Sequence, residues 1–445
     1  MLKKRIAQLI NIGWIALMVS LSISKAVSSV ALTALVILGI VLRFTQTPTN
    51  KPFNDKPIWA LCSLYVTYVI GCFYSADKMQ AFWFLYRANG LWLSPLSVIL
   101  HLPLIIKNYK VYLKVFIFGN LLACIATLLL YAMPEAKVIY YIGQLNGILS
   151  PYTSTVDRLS FGLYSPFIDR LQFGNLIGIS ILAVIWLWGE TISKKQNFYA
   201  FISIIILIIT HLFLGARAAQ LGSLVSIALL VLVALLQAIY KKLIGTVSKP
   251  VIIIATTIFV LFFMLLLPYL SYHFVEPVKV RYEQLRWEID MVLNHDFKAT
   301  SYEHFTSLRR IVSWKNLWEI AKQHPIIGIG TGDYNTELNK VYAADSLHLS
   351  PNSHSQYLQI WAVVGLWGLL AFIGSLIYWL YALNRQANRW LFSFGGAVLL
   401  FYSIVFLFDA VLLRQVDNMA FPLMLSVIYA ISCQQKKLVI LKNLN

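Results

Sequence analysis

In SPNSHSQYLQIW (350–361) a histidine, His354, stands where a polar stretch gives way to an apolar one. Histidine is the side chain whose charge changes near neutral pH, so it is the first candidate for moving a proton. Ser353 followed by Gln356 reads as a capping box, which places His354 in the first turn of a helix. The positive end of the helix dipole disfavours imidazolium there, so the ring stays neutral and can accept a proton as a general base must. The plainer reading is an interfacial histidine that only begins a helix.

Arginines come next. On a helical projection of LRRIVSWKNLWEIAKQ (308–323), Ile311, Trp314, Leu317, Trp318 and Ala321 form an apolar stripe. Arg310 falls inside the stripe, and Arg309 falls on the opposite face with Ser313 and Asn316. A guanidinium on a buried face is costly unless an anion meets it, so Arg310 calls for a bound anion or a structural carboxylate. Arg309 needs only solvent. Arg217 lies in LFLGARAAQLG between two apolar runs, where Gly215, Ala216, Ala218 and Ala219 let other groups approach closely. For a lone arginine, snorkelling to lipid headgroups is the simpler account.

Asp409 sits near the end of an apolar run, where an acid marks function by default and pairing with Arg414 is the simpler alternative. His101 and His211 read as satisfied core residues. HPIIGIGTGDY (324–334) has no Lys-Ser/Thr after it and no strand pattern before it, so it is a tight turn rather than a phosphate loop. There is no HExxH, no DxD and no paired histidine, and the expectation is no metal and no other cofactor. The four cysteines (Cys62, Cys72, Cys124, Cys433) lie within or at the edge of apolar runs and form neither a disulfide framework nor a metal pattern.

What positions these residues is a membrane. The chain is 59% hydrophobic and only 12% charged over 445 residues, which excludes a soluble domain of this size. The net charge of +18 does not imply nucleic acid, because many basic residues fall in short loops between apolar runs. The fold class is therefore an all-α polytopic membrane protein. Twelve spans are expected, at 7–24, 26–43, 57–75, 88–106, 111–133, 171–189, 198–214, 220–240, 250–270, 355–383, 390–413 and 418–434. MLKKR and the apolar run after it lack a small-x-small cleavage site and read as a retained first helix. The Lys/Arg bias of the short loops puts both termini in the cytoplasm. Two long connections, 134–170 and 271–353, then fall on the outer side, and His354 opens a helix at that surface. Three regions follow: 1–270 with helices 1–9, the large outer loop 271–353 with amphipathic helices, and 354–445 with helices 10–12.

The outer face thus offers one base and at least two arginines, but no nucleophile and no metal. Arginines bind phosphate oxygens in bidentate fashion, and a neutral histidine can deprotonate an incoming hydroxyl. The chemistry is displacement of a phosphate-linked donor that arrives already activated on a lipid, since ATP is not expected there.

R-x3-W from Arg310 to Trp314, then HPIIGIGTGDY, then NSHSQYLQIWAVVGLWG resemble the O-antigen ligase and polymerase superfamily. His354-Ser355, nine residues, Gly365, two residues and Gly368 resemble its ligase histidine motif, and GARAAQLG is similar to its first arginine segment. The segment reads ARAAQ where the family more often has Ser-Arg-Gly or Ser-Arg-Thr. The resemblance implies a fold like that of the GT-C glycosyltransferases and a metal-independent, inverting transfer. A glycan would move from undecaprenyl diphosphate to an acceptor sugar hydroxyl, such as that of lipid A–core, at the periplasmic face of the inner membrane. It implies His354 as base, Arg217 and Arg310 as diphosphate ligands, and Asp409 as a supporting acid. Arg309 and Gln356 stand beside these as further supporting candidates. A polymerase or a protein O-oligosaccharyltransferase shares the resemblance. A lipid-linked glycan flippase shares only the hydropathy, and it would line a path across the bilayer with charge, whereas the candidates here cluster on one face.

Overall fold

The computed structural model describes residues 2–45, 54–132, 165–190, 194–243, 266, 269–270, 272–274, 276–293, 306–344 and 352–443. The chain is an all-α polytopic membrane protein, and no strand occurs among the described residues. Eight of the described helices are long and apolar enough to cross a membrane. Three further expected spans are shorter apolar helices, and the expected span at 250–270 lies almost wholly outside the described residues.

The helices are α1 (Leu2–Ser20), α2 (Lys25–Thr45), α3 (Lys56–Ala60), α4 (Ser63–Tyr74), α5 (Lys78–Arg87), α6 (Gly90–Leu100) and α7 (Leu102–Ala132). They continue with α8 (Arg170–Gly189), α9 (Lys194–Leu214), α10 (Arg217–Leu243), α11 (Glu276–Leu293), α12 (Thr306–Gln323) and α13 (Tyr334–Ala344). The last three are α14 (Gln356–Asn384), α15 (Arg389–Phe408) and α16 (Gln415–Asn443), with a 3-10 turn at Val411–Leu413 before α16. Helix α16 lies at the centre and packs on α6, α7 and α15, while α10 packs along α15 and α14 along α4. Its sequence fits that position, for Val416 through Ser432 are buried throughout. An apolar helix with no lipid-facing side must sit among other helices.

Several expected boundaries move. The span at 57–75 breaks at Leu61–Cys62 into α3 and α4. The span at 88–106 ends at Leu100, and the following residues, Lys107 and Lys110 included, belong to the long α7 rather than to a loop. His101, at that junction, is buried with neither ring nitrogen hydrogen-bonded, so it is not the satisfied residue expected. His211 is partly satisfied, with Nε2 lying 3.1 Å from the Ser223 hydroxyl.

The largest departure is in α14. Gly365 breaks it, with φ 73 and ψ −177, a conformation open only to glycine. The break leaves the carbonyls of Ala362 and Val363 and the amide of Leu366 without partners in their own helix. Residues 325–330 supply them. Ile329 N–H donates to Ala362 O and Gly330 N–H to Val363 O, both at 2.9 Å, and Leu366 N–H donates to Pro325 O at 2.9 Å. HPIIGIGTGDY is therefore no simple turn. It is a plug that repairs a broken helix, as irregular backbone in a membrane protein requires. The plug is tied to α4 and α5 as well. Thr331 Oγ1 donates to Tyr68 O (2.7 Å), and the Asp333 carboxylate accepts from the amides of Ala76 (2.8 Å) and Asp77 (2.9 Å).

Candidate active site

The residue pattern from Arg310 to Trp314 is explained by one bond. The Trp314 indole N–H donates to the carbonyl oxygen of His354 at 2.9 Å. One turn earlier on the same helix face stands Arg310. Ser313 adds a second tie, its hydroxyl donating to Asn352 O while accepting from Tyr342 Oη at 3.1 Å. Helix α12 is thereby stitched to the segment that carries His354. This corrects the helical projection. Ser313 and Asn316, expected on the solvent face, are buried, and Ile311 and Trp318, expected in the buried stripe, are 48% and 43% exposed. Leu317 and Ala321 of the stripe stay buried as expected, and hydrogen bonds to the 352–354 segment turn the inward face far enough to include Ser313. Arg309 and Arg310 are both half-buried, but Nε of Arg310 is enclosed and has no hydrogen-bond partner.

His354 is not in the first turn of α14. The N-cap is Ser355, whose hydroxyl accepts from Leu358 N–H at 3.5 Å, and His354 precedes it with φ 47. The positive φ is one that His, Asn and Asp enter more readily than other side-chain-bearing residues. It is held by His354 N–H donating to Asn352 Oδ1 at 3.2 Å. The expected capping box does not form, because Gln356 faces the other way. Its Oε1 accepts from Leu412 N–H (2.8 Å) and its Nε2 donates to Gln359 Oε1 (2.9 Å). Gln356 thus fixes the start of α14 to the 3-10 turn before α16.

The neutral state expected of His354 holds for a different reason. Burial pushes its pKa down most, Asp409 pulls it back, and Arg310, Arg414 and Arg309 lower it further, leaving it at about 4. The imidazole makes no hydrogen bond among the described residues, so both ring nitrogens are available.

Helix α15 ends at Phe408, earlier than expected, and Asp409 caps it in extended conformation. Its carboxylate meets Arg414, with Oδ2 at 3.0 Å from Nη2. Arg414 also reaches Asp169 at 3.1 Å, and Asp169 caps α8 by accepting from Leu171 N–H at 3.0 Å. The simple alternative for Asp409, a pair with Arg414, is what the fold contains. Its charge nonetheless reaches both His354 and Arg310. Arg217 is the first residue of α10 rather than a loop residue, following Gly215 at φ 65. Gln220 completes the corner, its Nε2 donating to His211 O (2.7 Å) and Leu212 O (3.0 Å) at the end of α9.

These elements bring Arg217, Arg310, Asp409 and His354 into one connected set of charges. Arg217 is within electrostatic reach of Arg310, Glu288 and Arg170, and Arg310 of Asp409, Arg414, Glu288 and Arg170. Sequence reasoning named Arg414 only as a pairing partner for Asp409 and gave no role to Arg170, Asp169 or Glu288. Arg170, Asp169 and Arg414 lie at helix ends, a position compatible with ordinary capping. Glu288 carries no motif at all.

Residues 202–373 match the family model described as O-antigen ligase. The matched stretch contains Arg217, Arg310 and His354, along with the Gly365 break and its plug. The match indicates a function of the O-antigen ligase/polymerase type, a glycosyltransferase-like enzyme whose substrates are lipid-linked glycans in a membrane. The chain is also 24% identical over 352 residues to an uncharacterized protein of Haemophilus influenzae, covering 73% of this chain and 78% of that protein.

Proposed function

We propose that this O-antigen ligase/polymerase-type protein is a ligase that moves a glycan from undecaprenyl diphosphate to a sugar hydroxyl of lipid A–core. The reaction takes place at the periplasmic face of the inner membrane, with both termini in the cytoplasm and 271–353 as the periplasmic module. The observation that carries this reading is a neutral imidazole, free of hydrogen bonds among the described residues, within electrostatic reach of Arg310 of α12, which in turn is within reach of Arg217 of α10. The acceptor hydroxyl gives its proton to His354 as its oxygen attacks the anomeric carbon. The bond from that carbon to the diphosphate oxygen breaks, and the electron pair leaves on the diphosphate. Attack opposite the leaving group inverts the anomeric centre. Arg217 and Arg310 meet the charge that develops there, in surroundings where such interactions are worth more than in water. Asp409 keeps Arg414 in place and adds a fixed negative charge beside the base.

The test is transfer by the purified full-length protein in proteoliposomes, with lipid-linked donor and lipid A–core acceptor, in EDTA. Product is expected at the same rate with and without chelator, because the donor is activated and the arginines supply the positive charge. Loss on chelation, restored by a divalent ion, overturns the arginine mechanism. Elongation of the lipid-linked glycan with no transfer to lipid A–core makes the protein a polymerase.

In the same assay Arg310→Ala is expected to lose far more activity than Arg309→Ala. Loss of one electrostatic donor at a transition state typically costs about 10²–10³ in rate. Arg310→Lys should recover little, since a point charge does not replace a planar fork. Equal losses at 309 and 310 count against the assignment.

A further inference from the structure

We infer that Glu288 is an internal counter-anion for the arginines, a positioning residue that limits how tightly the diphosphate product is held. The inference rests on the reading above that Arg217 and Arg310 bind a diphosphate. Glu288 lies on α11, where it is 1% exposed while its neighbours Trp287 and Ile289 are 49% and 48% exposed. Glu283 and Asp290 on the same helix are exposed, so the burial of Glu288 between two outward apolar neighbours is particular to this acid and the reverse of what water alone would select. One carboxylate oxygen accepts from Ser307 N–H at 2.8 Å, in the first turn of α12, where the helix dipole favours an anion. The other oxygen, Oε1, is enclosed without a hydrogen-bond partner.

A buried carboxylate with half its capacity unused is unfavourable unless opposite charge lies near. Here it does, for both Arg217 and Arg310 feel the charge of Glu288. Yet among the described residues Glu288 forms no direct ion pair, and Nε of Arg310 also stays enclosed and unpartnered. A carboxylate in bidentate contact would occupy the arginine's fork. Standing off, Glu288 offsets the mutual repulsion of Arg170, Arg217 and Arg310 and leaves the Arg310 fork able to take a ligand.

Turnover gives this charge a role. A diphosphate esterified at both ends gains an ionisable oxygen when its glycosidic bond breaks. The arginines therefore attract the product more strongly than the donor. A fixed negative charge nearby opposes the more highly charged species most, and so favours its departure.

The test is binding of polyprenyl diphosphate, without glycan, to the full-length protein in detergent, together with transfer kinetics. Glu288→Gln removes the charge but keeps an oxygen that can accept from Ser307. It should bind polyprenyl diphosphate about tenfold tighter, lower the donor KM, and lower kcat through slower release. Its affinity should also depend more steeply on salt, and Glu288→Ala should share the tighter binding. If Glu288→Gln binds like wild type while Glu288→Ala only loses thermal stability, Glu288 is a cap for α12 and the inference is overturned. Weaker binding by Glu288→Gln also overturns it. If wild type itself does not bind polyprenyl diphosphate, the diphosphate reading fails, and that result is seen before any variant is compared.

Discussion

His354→Asn is expected to abolish glycan transfer while leaving the protein folded. Loss of a general base typically costs about 10²–10⁴ in rate. Asparagine is the informative replacement because His354 stands at φ 47, where asparagine is tolerated and alanine is strained. The backbone contacts survive, since the Trp314 indole meets the His354 carbonyl and Asn352 meets its amide, and neither uses the ring. The protein should elute and melt like wild type, so lost activity reads out the imidazole alone. Transfer at the wild-type rate would end the assignment. The pH profile sharpens the test. The ring stays unprotonated down to about 4, below the ordinary 6.5, so the acid limb of kcat/KM should lie well under neutral pH. A bound diphosphate offsets the arginines that lower this pKa, so the acid limb of kcat should lie higher than that of kcat/KM. The stability sign follows from the same shift. Between about 6.5 and 4 the unfolded chain binds the proton that folded His354 refuses, so acid in this window destabilises the wild type. His354→Asn should show a flatter dependence there.

Gly365→Ala is expected to disable the protein by a different route. At φ 73 and ψ −177 a side chain costs about 1–3 kcal/mol in backbone strain alone. A Cβ would also overlap the carbonyl oxygen of Ile326, which cannot move without taking the plug with it. Relief comes if α14 closes into an unbroken helix, and that leaves Ile329 N–H and Gly330 N–H without their partners, while Pro325 O keeps only the Trp361 indole N–H. A buried amide so stranded, as at Gly330, costs about 1–3 kcal/mol. A large fall in melting temperature and faster amide exchange over 325–332 should accompany loss of transfer. Unchanged exchange in that segment would show that the repair of α14 does not depend on the glycine. The two variants separate chemistry from scaffold, because the first leaves stability intact and the second does not.

The sequence by itself determined the solvent and the candidates. Apolar runs of bilayer length require helices, whatever their neighbours, because each run must satisfy its own backbone within lipid. His354, Arg217 and Arg310 were legible because a proton acceptor and phosphate-binding cations stand out in a chain with so little charge. Tertiary structure alone decided what these residues face. Periodicity put Ser313 and Asn316 outside and Trp318 inside; the inward face of α12 keeps Leu317 and Ala321 but is turned to take in Ser313 and Asn316, where bonds to the 352–354 segment forty residues on hold it. The same holds for the neutral state of His354, which comes from burial and three arginines rather than from a helix dipole. Gly365 could be counted in the sequence, but its break shows only against the 325–330 segment that repairs it. Glu288 had no local signature, because the groups that a buried acid faces lie on α10 and α12. Local sequence encodes periodicity and composition. Which long-range partner satisfies a polar group is known only once the helices have met.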